Sequence, residues 1–279
     1  MTIISENTTP EEAYNIATND SDGNMIVVFA EKKNFIEAII KADAQYAYYY
    51  AENVIKGRWL EAESTIKASS EYACHYAEYV IKGRWPEAED VIKANARYAC
   101  QYAEYVIKCR WPEAEDVIKA NAQYACEYAR DVIKGRWPEA EDVIKSDAQY
   151  ACQYAQYVIK GRWPEAEDTI KTDPKYAYLY AKDIIKGSWP EAEDIIEFNP
   201  SSACAYALEV VKGKWEKGEK IIKTDPAVVV KYAMEVIKGR WPEAESVIAM
   251  SKDRGLIKQY EDHFKVWLKS AEKYEEISK

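Results

Sequence analysis

Three groups of residues in this chain are of types that could do chemistry. Six cysteines, Cys74, Cys100, Cys109, Cys126, Cys152 and Cys204, could form disulfides, bind a metal or act as thiolates. Paired glutamates in the phrase Pro-Glu-Ala-Glu, such as Glu165 and Glu167, could divide general acid and base work between them. Two histidines, His75 and His263, could move protons near neutral pH. Spacing argues against each role. Five of the cysteines fall at one position of a repeat, and neighbouring copies would lie about one helix spacing apart, roughly 8–10 Å. A disulfide needs Cα atoms within about 7 Å. Zinc needs clustered ligands, and the chain has no CxxC. The five therefore read as small apolar side chains in a helix interface, and Cys109 stands where other repeats have glycine. The glutamate pairs recur through the chain, on what reads as the first turn of a helix, where acidic residues complement the dipole. No metal or cofactor is expected, and no catalytic activity.

The elements that carry these residues follow from the tryptophans, at 59, 85, 111, 137, 163, 189, 215, 241 and 267: every step is 26 residues. A period of this length marks a repeat architecture. Within one repeat, proline follows the tryptophan and opens a short helix, as at Pro164. Its apolar positions, Ala166, Thr169 and Ile170, form one stripe. A second helix starts after an N-cap residue, which is Asp43, Ser69, Asn95, Asn121, Asp147, Asp173, Asn199, Asp225 or Ser251 in successive copies. It spans about 174–186 in the sixth repeat, with Ala177, Tyr180, Ala181, Ile184 and Ile185 inward. A left-handed glycine such as Gly187 is expected to end it. On that reading Cys109 is strained. Lysine three residues before each of the first eight tryptophans (Lys56 through Lys238) and glutamate four after it (Glu63 through Glu245) are expected to pair.

Helices this short are marginal alone and must stack on their neighbours. The fold class expected is all-α: an α-solenoid of stacked helical hairpins with a right-handed superhelix. Residues 1–33 form an N-terminal cap, 34–241 eight tandem repeats, and 242–279 a degenerate repeat and C-terminal cap.

Net charge is −10, but the charge is scattered and no basic face stands out, which argues against nucleic acid as a partner. No apolar run is long enough to span a bilayer, so no membrane association is expected. The start of the chain does not read as a secretory signal, which points to the cytoplasm.

The phrasing of residues 173–196, "DPKYAYLYAKDIIKGSWPEAEDII", resembles a family of uncharacterised short tandem helical repeats in large tailed bacteriophages. The resemblance covers about residues 34–241. It implies a phage product acting in a bacterial host cytoplasm and carries no settled activity. The architecture is also similar to tetratricopeptide arrays, though shorter than their repeat of about 34 residues.

Side chains needed for stacking should recur, and those that meet a partner should vary. In the second helix the variable positions include His75, Gln101, Glu127 and Gln153, and Glu78, Glu104 and Arg130. Tyr79, Tyr105 and Tyr157 flank this stripe. The expectation is a non-enzymatic scaffold that binds a host or phage protein through these ten residues and inhibits a host defence protein. Two alternatives stand beside it: capture of a small ligand in a tyrosine-lined groove, and a part in virion assembly.

Overall fold

The computed structural model describes residues 5, 7–18 and 23–268. Every regular element among them is helical. Two compact units divide the chain, residues 1–143 and 144–279. Within each unit the second helix of one hairpin packs on the second helix of the next.

The sixth repeat shows how the sequence directs each turn. Trp163 is extended (φ −124°, ψ 81°), as a residue before proline prefers, and Pro164–Ile170 follows as the first helix. Asp173 then caps Pro174–Tyr180, its carboxylate accepting from the N–H groups of Lys175 (2.8 Å) and Tyr176 (3.2 Å). Buried alanines, Ala177 and Ala181, let neighbouring second helices approach closely.

From Ala181 to Ile185 the second helix widens into a π-turn, which the apolar periodicity did not indicate. This changes how the helix stops. The carbonyl of Ala181 accepts from both Lys186 N–H and Gly187 N–H, so the chain reverses one residue earlier than expected. Lys186 takes the left-handed conformation (φ 58°), and among the described residues no glycine has positive φ. The same holds at Lys56, Lys82, Lys108, Lys134, Lys160, Lys212 and Lys238, with φ between 55° and 60°. Strain of about 1 kcal/mol or more per residue therefore falls on eight lysines. Cys109, exposed and outside the left-handed region, carries none of it.

The expected lysine–glutamate pairing is also replaced. Glu89 is held by Arg84 through two parallel bonds (Nε–Oε1 and Nη2–Oε2, both 2.8 Å), the planar fork matching the carboxylate as an ammonium cannot. Arg58–Glu63, Arg110–Glu115, Arg162–Glu167 and Arg240–Glu245 repeat this. The same Glu89 oxygen accepts from the Tyr102 hydroxyl (3.1 Å), and that hydroxyl accepts from the backbone N–H of Trp85 (2.6 Å). The Trp85 ring packs on Tyr76 of its own hairpin, with centroids 5.1 Å apart. Each such tryptophan thus joins two hairpins, one through its ring and one through its backbone. Where arginine is absent, at Ser188 and Lys214, the glutamate still accepts from the tyrosine: Tyr206 to Glu193 at 3.0 Å and Tyr232 to Glu219 at 3.2 Å.

At the N-terminal end, Thr9 and Glu12 cap Pro10–Thr18 reciprocally, Thr9 N–H to Glu12 Oε2 at 2.8 Å and Glu12 N–H to Thr9 Oγ1 at 3.2 Å. Gly23–Ile40 is kinked at Lys32. At the other end, Tyr260 supplies the hydroxyl that accepts from Trp241 N–H (2.8 Å) from 19 residues away, where the other hairpins use 17. Trp267, in phase by number, is 90% exposed. Residues 1–4, 6, 19–22 and 269–279 of the expected caps lie outside the described residues.

Candidate partner-binding surface

The outward faces of the second helices carry the residues singled out by variation. Tyr79, Tyr105 and Tyr157 are exposed, at 48%, 48% and 49%. The other seven are half-buried. His75 sits among rings, with centroids 5.9 Å from Tyr48, 6.2 Å from Tyr79 and 6.3 Å from Tyr98. Glu127 accepts from Gln123 (3.1 Å), and Arg130 binds Asp131 through two bonds of 2.8 and 2.6 Å. Gln101 turns its Oε1 into a buried place with no hydrogen-bond donor. Such an atom costs about 1–3 kcal/mol until a donor reaches it.

Variation missed half of the aromatic surface. Tyr46, Tyr72 and Tyr98 recur at one position and so read as packing residues, yet all three are half-exposed. Together with Tyr14, Tyr48, Tyr49 and His75 they make a connected set of rings. Tyr14 lies 5.9 Å from Tyr46 and 6.1 Å from Tyr49, Tyr49 lies 5.2 Å from Tyr48, and Tyr48 lies 6.2 Å from Tyr72. A signal was present in the sequence: the same position becomes Ser202 and Val228 in later repeats, and both are buried.

The phenols of Tyr79 and Tyr105 are held neutral. The Glu104 carboxylate beside it pushes the Tyr105 hydroxyl up to about 12, and Glu78 does the same in direction for Tyr79. Burial in turn raises the Glu104 carboxyl. Burial also drives the thiols of Cys74, Cys100, Cys126 and Cys152 up to about 12 and Cys204 to about 11. Neutral, buried thiols pack as apolar groups, and the Cys74 Sγ lies 3.7 Å from the Tyr98 carbonyl of the next hairpin. Among the described residues, no cluster of three or more His, Cys, Asp and Glu could hold a metal ion, and no helix is long and apolar enough to cross a membrane.

Two clefts open beside this face at equivalent places, one in each unit. The first, about 250 Å³, lies between Lys108 and Lys134 and includes Glu104 and Asp131. The second, about 230 Å³, lies between Lys160 and Lys186 and includes Gln156 and Asp183. Both form where the residue six before the tryptophan is aspartate rather than tyrosine, which leaves the space open.

No protein-family model, curated protein or solved structure matches this chain.

Proposed function

We propose that this chain is a non-enzymatic scaffold that binds a protein through the outward faces of its second helices. The observation that carries the reading is the ring cluster of the N-terminal unit, which runs from Tyr14 through Tyr48 and His75 to the exposed Tyr79. A half-exposed aromatic set offers apolar area and hydroxyl groups at low entropic cost, the composition of interface anchors. Stacked repeats also present long surfaces suited to a macromolecule. Neither of these two clefts has a tyrosine in its lining. The phage setting rests on the sequence resemblance, and within it the partner proposed is a host defence protein in the bacterial cytoplasm.

The test is capture on the immobilised chain from phage-infected bacteria, with mass spectrometry of proteins and small molecules. The combined change Tyr79→Ala, Tyr105→Ala and Glu127→Ala should abolish capture of the protein while helicity and melting stay close to those of the parent. Capture of a metabolite in place of a protein, or a protein retained by the triple variant, would defeat the reading.

A further inference from the structure

The eight left-handed lysines are not explained by the fold. Glycine takes that conformation at no cost, and asparagine at little. A cation at a helix C-terminus is favourable, but arginine or histidine serves the dipole as well as lysine. Lysine nonetheless occupies the position in all eight repeats, always exposed and always at positive φ. None of the eight side chains has a carboxylate or hydrogen-bond partner, although acids lie close by. Those acids are already engaged: Asp131 by Arg130, and Asp183 by Gln156 at 3.2 Å. The residue after each lysine is glycine in seven repeats, outside the left-handed region, and an added Cβ at Gly57, Gly83, Gly135, Gly161, Gly187 or Gly213 would meet nothing. The fold thus needs neither the lysine nor the bare glycine. An outside group that approaches the backbone closely and carries negative charge would need both.

We propose that in each unit the π-turn ends of the second helices form an anion-binding edge that receives carboxylates from an acidic segment of a protein partner. This rests on the protein-binding reading above and gives the partner's chemistry. Neighbouring π-turns pack side by side within a unit, so their lysines follow one another along the edge. Two clefts lie along this edge, one lined by Lys108 and Lys134 with Glu104 and the Arg130-bound Asp131, the other by Lys160 and Lys186 with the Gln156-bound Asp183, and they give a carboxylate room to reach two lysines at once. In three repeats an exposed tyrosine precedes the lysine by three residues, as Tyr105 does Lys108, so an apolar ring stands next to the charge. A polypeptide suits this edge better than a nucleic acid. One ammonium per helix spacing of about 8–10 Å is sparse beside a phosphate every 3.4 Å or so along a DNA strand. Glu52, Glu78 and Glu104, four residues before Lys56, Lys82 and Lys108, also oppose a continuous polyanion.

The experiment titrates the full chain with a fluorescein-labelled peptide of repeated Glu-Gly-Gly, whose carboxylates lie about 10 Å apart when extended, and, separately, with a labelled oligothymidylate, at low and physiological salt. Two variants carry changes at Lys108, Lys134, Lys160 and Lys186: all four to glycine, or all four to glutamine. Glycine removes charge and strain together, so that variant should melt at the same temperature or higher, and lost binding could not be blamed on unfolding. Affinity for the Glu-Gly-Gly peptide should fall about tenfold or more in both variants, each exposed pair being worth a few-fold. Undiminished binding by both variants would overturn the proposal, as would tighter binding of oligothymidylate than of the Glu-Gly-Gly peptide by the parent chain. The tyrosine-to-alanine test above is read on the captured protein, so failure of the lysine edge and failure of the tyrosine face are seen separately.

Discussion

The two units use the same interior and finish their outer faces differently. In the N-terminal unit the positions eleven and ten before the tryptophan hold Tyr48, Tyr49 and His75, and the face is linked by ring contacts. In the C-terminal unit the equivalent region is linked by polar pairs: Lys182 with Glu209, Gln156 with Asp183, and the Tyr176 hydroxyl donating to Gln149 at 2.6 Å. Exposed ion pairs of this kind contribute about 0–1 kcal/mol each, and rings offer a partner far more apolar area. The contrast shows that stacking is set by a few buried positions, while the outer positions are free to differ from one repeat to the next.

Damage to the shared interior should therefore hurt both units alike. Tyr102→Phe and Tyr180→Phe each strip the hydroxyl from a buried Trp N–H and from a glutamate, at 2.6 and 3.1 Å in the first unit and 2.6 and 3.0 Å in the second. Each should cost about 1–3 kcal/mol in urea unfolding, with similar values for the two. A loss confined to one unit would break the comparison.

A smaller effect sharpens it on the acid side. Arg84, Arg110 and Arg162 hold the carboxyls of Glu89, Glu115 and Glu167 below their ordinary range. A carboxyl with a lowered folded pKa adds stability above its unfolded value of about 4.3 and loses it as pH falls through the folded value. Urea midpoints should therefore decline as pH drops below about 4.3. Arg84→Ser, which copies the repeat that has Ser188, should make that decline shallower. An unchanged slope would show that the arginine does not govern it.

The smallest effect concerns Cys109. Cys109→Gly should shift stability by less than about 0.5 kcal/mol, as at an unstrained exposed site. Iodoacetamide should modify Cys109 at once and the five buried cysteines only on unfolding. A clear gain in melting temperature for Cys109→Gly would restore the left-handed stop to the glycine position.

The period, the hairpin and the caps were legible because their signals are local: Pro164 and Asp173 each dictate their own turn. The π-turn was not, because Ala181, Ile184 and Ile185 fit an α-helical stripe equally well and the choice lies in how neighbouring helices pack. The arginine–glutamate–tyrosine arrangement escaped because its members lie 5 and 13 residues apart, and no single-helix pattern joins them. Trp267 keeps the count but not the packing, and Tyr260 has slipped by two residues. The exposed face was half legible. Variation found Tyr79 and Tyr105, while the recurrence of Tyr72 and Tyr98 hid their exposure.

The Trp–Tyr connection has a mechanical consequence. A hydroxyl of one hairpin accepts from the backbone of the hairpin before it, at Trp59, Trp85 and Trp111 in one unit and at Trp163, Trp189, Trp215 and Trp241 in the other. Pulled along the chain, each unit is a row of similar clasps in series, so tension is carried at every clasp and none is the designated weak point. Extension should then proceed hairpin by hairpin, at nearly constant force. A partner bound across several hairpins would act as a splint, raising the force only over the stretch it covers.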